Sequence, residues 1–271
     1  MPNSSHKSET VRVQVWQRLN PFTWRGGLRE VALILTVYGA YWLTRGSLPD
    51  RVVTAVQNAY DIVDFEKYLG FFWEKDIQSW FLDISFLVDL ANNVYTYFYY
   101  PVLIIFAIWA YNRHRKQYTT ARNVFLVSAG IGFLCFAIYP LAPPRMLLSF
   151  GFVDTMAQYG ALDYSHSFFR TFANPYAAMP SLHFGWVMLI GISTFSIAKA
   201  IWLKALAILV PLCMLISIIA TANHFIIDAI AGAIVIGLAY GLVILFTKLR
   251  SKGISPLALL RGKAGSNRAE A

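Results

Sequence analysis

Charge and cysteine are both scarce in this sequence. Asp, Glu, Lys and Arg together make up 14% of the 271 residues, against roughly 25% in soluble domains, while 57% are hydrophobic. Too little charge to cover a compact water-facing surface excludes an ordinary soluble enzyme or binding domain. The two cysteines, Cys135 and Cys213, both fall inside apolar runs, where a thiol behaves as a small apolar side chain; neither a disulfide nor a cysteine metal site is expected. Residues 1–27 lack an apolar core followed by a small-residue cleavage site, so no secretory signal peptide is expected, and the first span would direct insertion.

What the chain has instead is long apolar runs. A membrane span needs about 20 mainly apolar residues. Six runs qualify as candidates, near 28–45, 94–111, 123–140, 183–198, 204–222 and 225–247. The expected architecture is an all-α integral membrane protein, a bundle of about six helices. It would comprise an N-terminal segment 1–27, two spans across 28–111, a region 112–247 with the remaining four spans and a basic tail 248–271. Segment 46–92 mixes acidic residues with Phe, Trp, Leu and Ile at three-to-four spacing, which reads as amphipathic helix along the interface, either a lid or a packing collar.

The placement of the 23 Lys and Arg residues orients the chain. With a cytoplasmic N-terminus, seventeen of the Lys and Arg residues fall on inside segments and six outside, so both termini are expected in the cytoplasm. A basic rim beside anionic headgroups accounts for the net charge of +9, and no nucleic-acid partner is implied.

Polar residues that interrupt the apolar runs are the candidates for chemistry. In "TANHFIIDAIAGAIVIG", residues 221–237, His224 and Asp228 stand four apart, one helical turn, where a carboxylate can hold an imidazole. An Asp at membrane depth costs roughly 2.5–3.5 kcal/mol and usually faces the protein interior. The connection 141–182 begins "LAPPRMLLSF" and ends "SFFRTFANPYAAMPSLHFGW". Pro140, Pro143 and Pro144 end the third span and set Arg145 just outside it. Ser181 reads as an N-cap, which puts His183 in the first turn of the fourth span, where free amides suit a phosphate. Arg145, Ser181, His183, His224 and Asp228 would then share one membrane face. Asn174, Tyr176 and Asn223 flank these motifs as secondary polar candidates or turn residues. Asn92, Asn93, Tyr95, Tyr97, Tyr99 and Tyr100 read as an interfacial belt with no catalytic role.

"MPSLH" and "NHFIID" resemble the second and third signature motifs of the phosphatidic acid phosphatase type 2 (PAP2) superfamily, which includes vanadium haloperoxidases. The resemblance covers about 139–237. With Leu182 where the phosphatases usually carry Gly, "YAAMPSLH" is more similar to the inositolphosphotransferase branch that contains fungal inositol phosphorylceramide synthase. The chain departs from the pattern at two cationic positions. Ile138 stands where the first motif has Lys, and Met146 replaces the Pro after Arg145; Ile218, beside Ser217, stands where the third motif has Arg.

The resemblance implies a membrane enzyme that cleaves or transfers a phosphoryl group of a phospholipid or polyprenyl phosphate, with water or a polyol or lipid alcohol as acceptor. His224 would be the nucleophile, Asp228 its orienter and His183 the proton donor and acceptor. Arg145 and Ser181 would bind phosphate, with Arg170 a candidate replacement cation. No metal or other cofactor is implied. The active site would face the extracytoplasmic side. A non-catalytic lipid-binding or scaffold protein that retains the pocket is the alternative.

Overall fold

The computed structural model describes residues 26–33, 35, 36, 39, 51–159 and 175–252. Among them every regular element is helical, and the one extended pairing is an isolated parallel bridge between Leu141 and Ala177. The 26–33 stretch is helical. Helix α1 runs Val52–Leu69 and stops at Gly70, whose φ of 79° is the left-handed cap conformation that glycine reaches without penalty. After α2 (Glu74–Leu82) comes α3, continuous over Ser85–Arg113 with a π-helical turn at Val94–Phe98. Helix α4 (Arg115–Ile138) follows, then two 3₁₀ turns, the short α5 (Thr155–Tyr159), α6 (Leu182–Ile197), α7 (Ile201–Ala220) and α8 (Ile226–Ser251).

Four described helices, α3, α4, α7 and α8, are long and apolar enough to cross a membrane, and α6 is apolar but only 16 residues. The four coincide with the second, third, fifth and sixth expected spans and α6 with the fourth; half of the first, near 28–45, lies outside the described residues. The segment expected as one amphipathic stretch divides into α1, α2 and the start of α3. At 29 residues α3 is about 43 Å long, more than the roughly 30 Å hydrocarbon core, so its belt of tyrosines belongs to the same rod as the span.

Close approach between helices is made by glycine. A Cβ on Gly191 of α6 would lie 2.4 Å from the Ala207 carbonyl and 2.7 Å from Pro211 of α7, so only glycine permits this crossing. On α8, a Cβ at Gly232 would lie 2.4 Å from the Ser181 carbonyl at the start of α6. The bundle end where α4 finishes and α6 and α8 begin is covered by α1. Its buried Ala55, Ala59, Ile62 and Val63 pack on Leu141, Ala142, Leu147, Ala178, Ala222 and Phe225. Asn58 Nδ2 donates to the Pro140 carbonyl at 2.7 Å and the Ala142 amide to the Ala55 carbonyl at 3.0 Å. Toward the other end of α4, Arg122 makes bonds of 2.6 and 2.8 Å to both carboxylate oxygens of Glu30. This ties the 26–33 stretch to that end.

Candidate active site

Helix α8 begins at Ile226, so His224 stands two residues ahead of it rather than on its face. The contact expected from the four-residue spacing nevertheless forms, by a different route. Asp228 is the third residue of the helix, and its Oδ2 turns back to accept the amide of Phe225, the N-cap, at 2.9 Å. The same oxygen lies 3.3 Å from His224 Nδ1. That nitrogen is also 2.9 Å from the carbonyl oxygen of Ala178. A carbonyl only accepts, so Nδ1 carries the hydrogen and the lone pair of the neutral ring is on Nε2. His224 and Asp228 are both buried, at 4% and 0% exposure, so neither is held by solvent.

The turn before the helix is fixed from behind. Both the Asn223 and His224 amides donate to the Ile218 carbonyl, at 3.0 and 3.1 Å, and Ala222 takes a left-handed φ of 51° to make the reversal. The Ala222 carbonyl accepts the Arg145 amide at 2.9 Å, which brings the loop after α4 against the loop before α8. The Arg145 guanidinium bonds to the Asn223 side-chain oxygen, and its Nε lies 3.5 Å from Asp154 Oδ2. Asn223 in turn donates to Thr221 Oγ1 at 2.8 Å.

Ser181 is the N-cap of α6, as its sequence position suggests, and its Oγ accepts from the Phe184 amide at 3.5 Å. Its own amide donates to the Asp228 carbonyl at 2.9 Å, so the start of α6 is bonded directly to the first turn of α8. His183 therefore faces His224, with ring centroids 6.2 Å apart. Two tyrosines complete the wall. The rings of Tyr95 and Tyr99 lie 5.0 and 4.9 Å from the His183 ring, and Tyr95 is 6.4 Å from His224. Both come from the segment that reads as an interfacial belt. The helix divides that belt: Tyr97 and Tyr100 are exposed, whereas Tyr95 and Tyr99, one turn apart, point to the histidines. The i, i+4 spacing was the available signal.

The structure thus brings together five of the expected residues, His183, His224, Asp228, Arg145 and Ser181, with Asn223 bonded to one of them. Tyr176 packs on the apolar cluster under α1, and its carbonyl accepts the Leu141 amide at 2.9 Å. Arg170 and Asn174 lie outside the described residues. Of the two isoleucines at motif cation positions, Ile138 is 78% exposed and Ile218 is fully buried in the core. Among the described residues no group of three His, Cys, Asp or Glu side chains is arranged to hold a metal ion.

Two carboxylates unforeseen from sequence stand behind the site. Glu74 Oε1 accepts the Ile226 amide at 2.7 Å and Glu66 Oε1 the Ile227 amide at 3.0 Å; both glutamates are fully buried. Burial and their mutual proximity hold Glu66 up at about 9, and burial raises Glu74 as well.

The model of the PAP2 superfamily matches residues 60–242, about two thirds of the chain. The chain belongs to the PAP2 superfamily. Among curated proteins, it is 29% identical over 160 residues to a phosphoinositol dihydroceramide synthase of Bacteroides thetaiotaomicron, covering 54% of this chain and 52% of that protein. The chain therefore spans about half the length of this relative. No solved structure matches. The PAP2 match begins inside α1, so it includes Glu66 and Glu74 as well as the motifs.

Proposed function

We propose that this PAP2 protein cleaves or transfers the phosphoryl group of a lipid phosphate through a phosphohistidine on His224, at the extracytoplasmic face of the membrane. One observation carries the reading: the Ala178 carbonyl and Asp228 hold Nδ1–H, which leaves the Nε2 lone pair of a buried, oriented imidazole for attack on phosphorus. In the first step the Nε2–P bond forms as the bond from phosphorus to the lipid oxygen breaks, and His183 gives that oxygen a proton. In the second, His183 takes a proton from the acceptor hydroxyl as its oxygen displaces the histidine. Asp228 stabilises the imidazolium that exists between the steps. Arg145, oriented by Asn223 and Asp154, supplies two parallel donors to the phosphoryl oxygens, and the Ser181 cap directs the first-turn amides of α6 the same way.

The name of the curated relative, a synthase joining phosphoinositol to dihydroceramide, favours a lipid alcohol over water as acceptor. The deciding experiment measures release of inorganic phosphate and formation of new phospholipid from a panel of phospholipids and polyprenyl phosphates, with and without added polyol or ceramide-type alcohol. Product that requires the alcohol supports a transferase; phosphate released without it supports a phosphatase. Binding with no turnover of any substrate would leave a lipid-binding protein.

A further inference from the structure

The start of α8 concentrates acid. Three carboxyl groups, Glu66 from α1, Glu74 from α2 and Asp228 from α8 itself, surround its first turn, and all three are fully buried. Each takes one amide: Asp228 that of Phe225, Glu74 that of Ile226, Glu66 that of Ile227. The amides of Phe225, Ile226 and Ile227 that a helix start leaves free are thereby used, so this terminus has nothing to offer a substrate phosphate.

The remaining oxygens do not balance. Counted as carboxylates, Glu66 Oε2, Glu74 Oε2 and Asp228 Oδ1 are buried without a donor. Three anions at one helix start, with the half-charge of one dipole to offset them, would be costly to bury. A single hydrogen between Glu66 and Glu74, whose carboxyls hold the consecutive amides of Ile227 and Ile226, supplies both with a partner and removes one charge. The titratable groups that face the pair are each other and Asp228, with His224 beyond Asp228.

We propose that Glu66 and Glu74 are positioning residues that share one proton and, through their bonds to Ile226 and Ile227, hold the first turn of α8 so that Asp228 and His224 keep their alignment. The pair makes α1 and α2 part of the catalytic apparatus: these helices reach the nucleophile through two amides adjoining Asp228. The inference rests on the catalytic reading above only for its effect on turnover; proton sharing is a property of the fold.

The sign of the pH effect follows from the raised carboxyl. The native chain keeps a proton that the unfolded chain gives up above the ordinary value of 4.5, so the pair's stabilisation is full below that pH and is lost as pH rises toward about 9. The test uses the full chain in detergent micelles, wild type against E66Q, E66A and E74Q, with thermal unfolding followed from pH 5 to pH 10. The amide of E66Q donates permanently to Glu74 and still accepts from Ile227, so its unfolding temperature should lose most of the fall with pH that wild type shows. Turnover is measured with phosphatidic acid in phosphatidylcholine vesicles, or with whichever substrate the panel identifies. There E66A should lose about tenfold in kcat with little change in KM, and E66Q should recover most of the loss and lack the wild-type alkaline limb. Equal pH slopes of unfolding in wild type and E66Q, or equal impairment of E66A and E66Q, would overturn the proposal. Absence of turnover in every variant, wild type included, would count against the catalytic reading, while the unfolding measurements would still decide the pair.

Discussion

Ser181 touches α8 twice with its backbone: its amide donates to the Asp228 carbonyl at 2.9 Å, and its carbonyl occupies the space a side chain on Gly232 would need. These contacts place the helix that carries His183 against the helix that carries Asp228. Gly232→Ala would set a methyl 2.4 Å from a backbone oxygen, which no side-chain rotation relieves. We expect a loss of about 1–3 kcal/mol in stability and a larger proportional loss in activity, since both histidine motifs must move apart. Gly237→Ala, with open space around it, is the control and should match wild type in unfolding and turnover.

Asp228 and His224 yield a covalent test. A labelled substrate should leave phosphate on the protein in an acid-labile, base-stable bond, and His224→Ala should abolish label and turnover together. His183→Ala, given a substrate whose leaving group is a weak base, should still accumulate label and then stall at acceptor attack. Asp228→Asn keeps an oxygen for the Phe225 amide but lacks the charge that supports the imidazolium, so labelling should slow by about 10²-fold or more. Label that persists in His224→Ala would remove the nucleophile assignment.

For Arg145, shape matters beyond charge. The guanidinium is aimed by Asn223 on one side and Asp154 on the other, and a lysine ammonium cannot meet both while presenting two donors to phosphate. Arg145→Lys should lose most activity, and Asn223→Ala a smaller part through a raised KM. Arg170→Lys serves as the comparison; if it proves the more damaging of the two, the phosphate clamp belongs to Arg170.

Tyr99 is buried and meets the His183 ring edge-on at 4.9 Å, which separates packing from hydroxyl chemistry. Tyr99→Phe should retain at least half of wild-type kcat, whereas Tyr99→Ala should fall about tenfold as His183 gains rotamers that face away from His224. A Tyr99→Phe variant as poor as Tyr99→Ala would assign a role to the hydroxyl.

Sidedness can be read directly. Leu148, 73% exposed beside the site, and Gln117, exposed at the opposite end of α4, can each be replaced by Cys in a background where Cys135 and Cys213 are Ala. An impermeant thiol reagent on intact cells should label the first and spare the second. The reverse pattern would turn the site to the cytoplasm.

Much of this protein is legible before folding is considered. Apolar runs near 20 residues give helices because lipid offers the backbone no partners, and the described spans fall where those runs fall. The prolines before Arg145 and the serine before Leu182 mark helix ends because both act locally, through a missing amide and a capping oxygen. Local rules also set His224 and Asp228 within reach of each other, although the helix starts after the histidine and a backward-turned capping carboxylate makes the contact. What no local rule carries is the company these residues keep. The Ala178 carbonyl that fixes the His224 tautomer lies 46 residues away, and Glu66 and Glu74 reach α8 across 161 and 152 residues. In the sequence Glu66 and Glu74 are two acids among several on amphipathic helices. Only packing of α1 and α2 onto the bundle removes them from water, and a buried carboxyl must then find donors, which the first turn of α8 supplies. Tyr95 and Tyr99 pass for interfacial aromatics for the same reason: which side of a helix faces a histidine is decided by the helix that carries the histidine.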